Sequence, residues 1–170
     1  MGVSWVTPIA HMIPRTPSFS ACGDACLYGG GGFSLDMKFW WHLEWPKEIK
    51  GNINLFLPDN KSGKMISINV LEYATIILNY SAALTVLDYH GIGDDIHQVL
   101  LNLADNTSSV RWTNHACKKS LVGKALGRLF CTMLIDSPLG VNAKWLSTSV
   151  NVIADDILRV KKDSPDSHFY

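Results

Sequence analysis

The chain has 170 residues, 15 Lys and Arg against 15 Asp and Glu, and a hydrophobic content of 47%. This length predicts one domain, and the high apolar content with 18% charged residues excludes a chain that is disordered throughout. The zero net charge argues against a nucleic-acid-binding protein, because such proteins usually carry an excess of positive charge.

The lack of a recognisable targeting signal and the small number of cysteines predict a location inside the cell. The N-terminus lacks a basic start followed by an apolar core, so it does not predict a signal peptide. No stretch of sequence approaches the ~20 apolar residues that cross a bilayer. The four cysteines show no paired C-x-x-C spacing, which argues against a zinc ribbon. We therefore expect an intracellular protein that is not secreted, has reduced thiols and has no membrane partner.

The first third of the chain predicts an extended lead-in followed by strands. Residues 1–16 contain prolines without periodicity and predict a lead-in or linker. Residues 18–36 alternate in polarity and include four consecutive glycines, which predicts a hairpin that turns at Gly29–Gly32. Residues 37–57 predict a further short strand and a loop. The clustered tryptophans there favour an aromatic core beneath a sheet over stacking on bases.

The rest of the chain predicts helices alternating with strands. Apolar periodicity and apolar runs indicate, in chain order, a strand at 65–68, a helix at 70–87, a buried strand at 99–104, a helix after Asn106-Thr107, a helix at 120–135, a turn at 138–140, a strand at 141–146 and a helix at 151–160. This order predicts an α/β domain with a mixed sheet in layers. Residues 162–170 are polar and predict a flexible tail.

Four acidic residues lie in apolar sequence near the ends of these elements. Asp24 is in the first strand, Glu72 opens the first helix, Asp105 ends the buried strand, and Asp155 begins the last helix. Burying a charged carboxylate in such a place lowers stability unless the charge is neutralised. Where several carboxylates converge, a bound hard divalent cation usually neutralises them. Structural roles also exist for three of them, since Glu72 follows Asn69 at the spacing of a capping box and the other two lie near helix N-termini. Asp24 has no such explanation.

Taken in this order, the four residues resemble ribonuclease H, and more specifically the RNase H domain of retroelement reverse transcriptases. The matching stretches are GDACLYGGGGFSLD, INVLEYATII, LADNTSSVRW and NVIADDILRV, which together span about residues 18–160. The resemblance implies an RNase H-like three-layer α/β fold over residues 17–161, with a central mixed five-stranded sheet and flanking helices. Asp156 adjoins Asp155 and is the alternative fourth ligand.

The resemblance implies an endonuclease that hydrolyses the RNA strand of RNA–DNA hybrids. Two Mg²⁺ ions, or Mn²⁺ as a substitute, would be held by Asp24, Glu72, Asp105 and Asp155 and would carry the chemistry. The implied protein partners are the reverse transcriptase domains of a parent polyprotein. Contacts with the hybrid are expected from polar and basic residues of the second half of the chain, namely Asn106, Thr107, Arg111, Lys118, Lys119 and Asn151.

The chain departs from the family in one place. Many members carry a His in the loop before the last helix, whereas that loop reads WLSTSVN here. Its loss is expected to slow turnover, and it leaves open a catalytically inactive RNase H-like scaffold or nucleic-acid-binding module. A DDE-type integrase or transposase shares the fold, but its Glu lies on a late helix. The early position of Glu72 therefore favours RNase H.

The zero net charge conceals a division along the chain. Residues 1–105 hold 6 basic and 10 acidic residues, a net of −4, whereas residues 106–170 hold 9 basic and 5 acidic residues, a net of +4. Five basic residues and no acidic one lie between Arg111 and Arg128. Beside a metal site this stretch predicts a surface that follows phosphates. The alternative is an ordinary solvated helix face.

Overall fold

The computed structural model describes residues 15–53, 66–91, 98–117, 119–135 and 137–159, without the side chains of residues 155, 158 and 159. Nearly all of the predicted lead-in and all of the predicted tail lie outside these residues. The elements, in chain order, are β1 (Phe19–Ala25), β2 (Gly29–Ser34), β3 (Phe39–Glu44), α1 (Lys47–Gly51), α2 (Ile68–Tyr89), β4 (Gln98–Ala104), α3 (Thr107–His115), α4 (Leu121–Ile135), β5 (Leu139–Trp145) and α5 (Val152–Arg159).

The five strands form one mixed sheet with the order β3-β2-β1-β4-β5. The first three strands pair antiparallel, and β4 pairs parallel with both β1 and β5. Helices α2 and α5 both pack on β1 and β2. The predicted α/β fold with a mixed five-stranded sheet and flanking helices is thus confirmed.

Helix α2 is the central helix of the domain. Its Tyr73 and Tyr80 are buried and make edge-to-face contacts with Phe130 of α4. By length and composition α2 could cross a membrane, which corrects the expectation that no stretch comes near this length. In the domain, 61% of its most apolar window is buried, so packing in the interior accounts for its composition.

The predicted glycine turn is wrong. Gly29–Gly32 lies inside β2, and the hairpin turns at residues 26–28. Glycine is required there because other groups come close to the strand: a Cβ at Gly30 would lie 3.0 Å from the Trp45 ring, and one at Gly32 would overlap Asn79 of α2. A glycine run within a strand therefore marks a close approach of helix and aromatic side chains.

Two further local predictions need correction. Residues 65–68 do not form a strand where the structure describes them, since Ile66 makes only an isolated bridge to Ile53 and α2 begins at Ile68. Residues 139 and 140 were expected in a turn, but both already pair with β4. Short apolar runs are ambiguous between strand and helix, and pairing with a distant strand decides their structure.

The edge strand β5 is protected by a side chain of α3. Asn114 donates from Nδ2 to the carbonyl of Ala143 at 2.8 Å and accepts from its N–H at 3.0 Å. The amide thereby pairs the strand edge much as another strand would. These two hydrogen bonds fix α3 against β5.

Candidate metal centre

Three of the predicted acidic residues lie at one edge of the sheet. Asp24 is the penultimate residue of β1, and Asp105 directly follows β4. Since β1 and β4 are neighbouring parallel strands, their carboxyl ends meet at the same edge. Glu72 lies in the second turn of α2, which packs on both strands. The topology thus brings together residues that are 33 to 81 positions apart in the chain.

The three carboxylates are close enough to share a cation. One oxygen from each of Asp24, Glu72 and Asp105 lies within 4.8 Å of the other two. A divalent cation with oxygen ligands at 2.0–2.6 Å separates those ligands by at most about 5 Å. An all-carboxylate set is also the donor chemistry that Mg²⁺, Ca²⁺ and Mn²⁺ prefer. The arrangement therefore fits a hard divalent cation.

The structural roles that the sequence allowed for two of these residues are not observed. The N-cap of α2 is Ser67, without a side-chain hydrogen bond, so Asn69 and Glu72 do not form a capping box. The N-cap of α3 is Asn106, which accepts from two backbone N–H groups of that helix and donates to Asn69 at 2.8 Å. Asp105 is thus not a cap. Helix capping explains neither acidic residue.

Glu72 has the least favourable surroundings for a charge. It is 4% exposed, and within the described part of the chain its Oε2 has no hydrogen-bond partner. Burial, followed by the negative charges of Asp24 and Asp105 and a side-chain hydrogen bond with Asp24, raises the pKa of Glu72 to about 9, and a hydrogen bond from the backbone N–H of Ala25 acts in the opposite direction. A cation would remove the repulsion and use the free oxygen, so this environment also fits a metal site.

Neighbouring groups hold the other two carboxylates in place. The Ala25 N–H donates to Oδ1 of Asp24 at 2.8 Å. The Thr148 hydroxyl donates to Oδ2 of Asp105 at 2.8 Å, and the Trp145 indole donates to the Asp105 carbonyl at 2.9 Å. Such outer contacts orient ligands. The sequence analysis missed Trp145 and Thr148, and no local pattern distinguishes them.

The fourth predicted ligand remains a prediction. Asp155 lies on α5, and its side chain is outside the described residues. Asn151, which precedes α5, is buried and donates to the carbonyl of Gly23 at 3.4 Å, which brings the start of the helix to β1 beside Asp24. The alternative ligand, Asp156, is exposed. The position of α5 is therefore compatible with a fourth acidic ligand.

The predicted substrate residues fall into different environments. Thr107 and Arg111 are exposed on α3, and Lys119 is exposed just before α4. Lys118 lies outside the described residues. Asn106 and the buried Asn151 make the internal contacts given above, so the structure shows them as scaffold residues beside the site. Contact of any of these residues with nucleic acid remains a prediction.

The structure is similar to solved structures of RNase H1 enzymes. It matches RNase H1 of the halophilic archaeon Halobacterium salinarum NRC-1 with a TM-score of 0.51 and 12% identity, over 82% of this chain and 92% of that one. It matches LC11-RNase H1, isolated from compost by a metagenomic approach, with a TM-score of 0.53 and 16% identity, over 84% and 93% of the two chains. The fold is RNase H-like. No family model and no curated protein matches the sequence.

Proposed function

We propose that this chain is a metal-dependent endoribonuclease that cleaves the RNA strand of RNA–DNA hybrids. The observation that carries the proposal is the convergence of Asp24, Glu72 and Asp105 within 4.8 Å on an RNase H-like fold. Asp155 is proposed as the fourth ligand, and Mg²⁺, with Mn²⁺ as a substitute, as the cation. We further propose two ions and an origin in a retroelement polyprotein, both supported by the sequence resemblance.

The unpartnered oxygen of Glu72 favours an active site over a scaffold. A scaffold gains nothing from three carboxylates at one point, because their mutual repulsion and the burial of Glu72 lower its stability. A divalent cation bound there would supply Lewis-acid activation of a water and neutralise charge on a phosphate. A cation site that lowers the stability of the metal-free protein is typical of a functional centre.

The chain's own residues position the ligands and exclude water on one side. Asp105 is held at two atoms, its carboxylate by Thr148 and its carbonyl by Trp145. Glu72 approaches from the buried side, so the open side of the cluster is left to Asp24 and Asp105, which are both half-buried. Thr148 belongs to the loop that lacks the family's His, and its hydroxyl donates to the proposed metal ligand Asp105. Unlike His, a hydroxyl does not titrate near neutral pH. We therefore expect slow turnover.

The test is cleavage of a hybrid whose RNA strand carries an end label, with single-stranded RNA, RNA duplex and DNA duplex as competing substrates. We expect cleavage of the hybrid RNA in Mg²⁺ or Mn²⁺, none in EDTA, and recovery when the metal is returned. Asp24→Asn should lower the rate by on the order of 10³-fold, because a ligand charge worth several kcal/mol at the transition state is lost.

The matched control is Asp88→Asn, which removes an exposed carboxylate near the end of α2. This variant should cleave at the wild-type rate. Full activity of Asp24→Asn, or cleavage that persists in EDTA, would exclude the proposed chemistry. A chain that binds the hybrid in Mg²⁺ and never cleaves it would instead be the inactive nucleic-acid-binding module.

A further inference from the structure

A groove runs along α3 beside the end of β5, and its lining includes two residues that the sequence predicted as contacts with the hybrid, Thr107 and Arg111. It has a volume of about 440 Å³ and is lined by Thr107, Val110, Arg111, Asn114, His115 and Trp145. This volume is within the range of small-ligand sites. We call it the α3–β5 groove.

One end of the groove touches the acidic cluster. Thr107 follows Asp105 by two residues, and the indole of Trp145 donates to the Asp105 carbonyl at 2.9 Å. From Thr107 to His115 the helix rises about 12 Å, at 1.5 Å per residue. The groove therefore leads from the candidate metal centre to a point two helical turns away.

The groove lining offers an aromatic face and positive charge. Trp145 is 52% exposed, although its N–H is already bonded. Arg111 and His115 are exposed on the same side of α3, one turn apart. Across the described residues, Arg111 forms no salt bridge. An exposed indole beside an unpaired guanidinium is the combination that binds bases by stacking and phosphates by charge.

Hydrogen bonds to the backbone hold two side chains of the groove wall, Asn114 and Trp145. Asn114 is held by two hydrogen bonds to the backbone of Ala143, and the indole of Trp145 is held by Asp105. Groups that are fixed before binding lose little conformational entropy when a ligand arrives. Asn114 and Trp145 are therefore positioned before a ligand binds.

We propose that the α3–β5 groove binds an unpaired stretch of the nucleic acid whose paired part lies at the acidic cluster. A base stacks on Trp145, and Arg111 contacts a phosphate. A duplex is a poor occupant, because its bases are already stacked on their neighbours and cannot present a face to the indole. The proposal rests on the proposed function only for the paired part, since binding of a single strand requires no cleavage.

The test is the binding of end-labelled hexamers, oligo(U) and oligo(dT), measured by fluorescence anisotropy in EDTA at several salt concentrations. Trp145→Leu should weaken binding about tenfold or more, and Trp145→Phe should weaken it less, because it keeps an aromatic ring for stacking but loses the N–H that holds the ring on Asp105. Arg111→Gln should weaken binding and lower the slope of log K against log salt by about one. The two hexamers show whether the groove prefers RNA or DNA.

Matched controls are Trp40→Leu, which removes a 70% exposed tryptophan on β3, and Lys47→Gln on α1. Both should bind like the wild type. Equal binding by wild type, Trp145→Leu and Arg111→Gln would refute the proposed binding site in the α3–β5 groove, whether or not the chain cleaves hybrids. Selective loss in these two variants with no hybrid cleavage by the wild type would support the groove and refute only the proposed function. An equal loss of hexamer binding in the control variants would show that binding is non-specific, and it would also refute the proposed binding site in the groove.

Discussion

Glu72 and Asn79 are both buried polar side chains of α2, and their surroundings differ in kind. Glu72 is 4% exposed and Asn79 is 1% exposed, about two helical turns further on. Asn79 accepts from the indole of Trp41 at 2.9 Å and donates to Oδ1 of Asn102 at 3.0 Å. Glu72 keeps one oxygen without a partner in the described structure and faces two other carboxylates.

The difference separates a group whose polar atoms are satisfied within the protein from one whose polar atoms are not. The amide of Asn79 joins three elements of the domain, and both its oxygen and its nitrogen are used, although Nδ2 of Asn102 has no partner among the described residues. A satisfied buried amide needs no ligand to explain it. The Glu72 cluster is incomplete, and only a proton or a cation relieves its repulsion. Buried polar groups therefore need to be compared by their partners, not by their burial.

The largest stability effect is expected from breaking the neutral network. Asn79→Leu leaves the N–H of the half-buried Trp41 and the side-chain Oδ1 of the buried Asn102 without their partners. We expect the free energy of unfolding to fall by about 2–4 kcal/mol, because buried unpaired groups lose the full value of their hydration. Chemical denaturation measures this loss. Asn142→Ala, on the exposed side of β5, is the control and should change it little.

A double-mutant cycle sharpens the same point. Trp41→Phe combined with Asn79→Leu removes both partners of one hydrogen bond, so the double variant should lose less stability than the sum of the two single variants. Strict additivity would show that this hydrogen bond does not hold the network together.

A smaller effect with the opposite sign is expected at the acidic cluster. In EDTA, Glu72→Gln should stabilise the protein by about 1–3 kcal/mol near pH 8, because the folded wild type must keep a proton on Glu72 that the unfolded chain has released, whereas Gln needs no proton and has a similar volume. The pKa of Glu72 is raised to about 9 in the folded state from a usual value near 4.5, so the folded state holds the proton more tightly. The wild type is therefore most stable below about pH 4.5 and loses this contribution as pH rises toward 9.

The measurement is unfolding of both proteins between pH 5 and 9. The gap between Glu72→Gln and the wild type should be small at pH 5 and widen with rising pH. Parallel stability curves would mean that Glu72 is not buried next to other carboxylates in solution.

The smallest effect is expected from adding metal. At a Mg²⁺ concentration ten times its dissociation constant, binding to the folded state contributes about 1.4 kcal/mol, which raises Tm by about 3–5 °C. Glu72→Gln should abolish most of this rise, and Asn79→Leu should retain it at a lower Tm. A rise that is equal in wild type and Glu72→Gln would place the cation elsewhere.

Local patterns predicted much of the secondary structure. Apolar spacing assigned α2, β4, α4 and α5 to within a few residues. This works because the apolar period that marks the buried side of each element is contained in that element's own sequence. The same approach failed for Gly29–Gly32, where glycine is required by Asn79 and by aromatic rings that approach from other parts of the chain. It also failed for Leu139 and Gly140, which pair with residues 41 positions earlier in the chain.

By itself the sequence determined the order of the acidic residues along the elements, and with it the RNase H-like fold. Only the tertiary structure decided that Asp24, Glu72 and Asp105 meet within 4.8 Å, that Glu72 is buried with a free oxygen, and that neither Glu72 nor Asp105 serves as a helix cap. The groove at Trp145 came from tertiary structure alone. The physical reason is that periodicity reports which side of an element is buried, whereas distances between elements depend on strand order and helix packing.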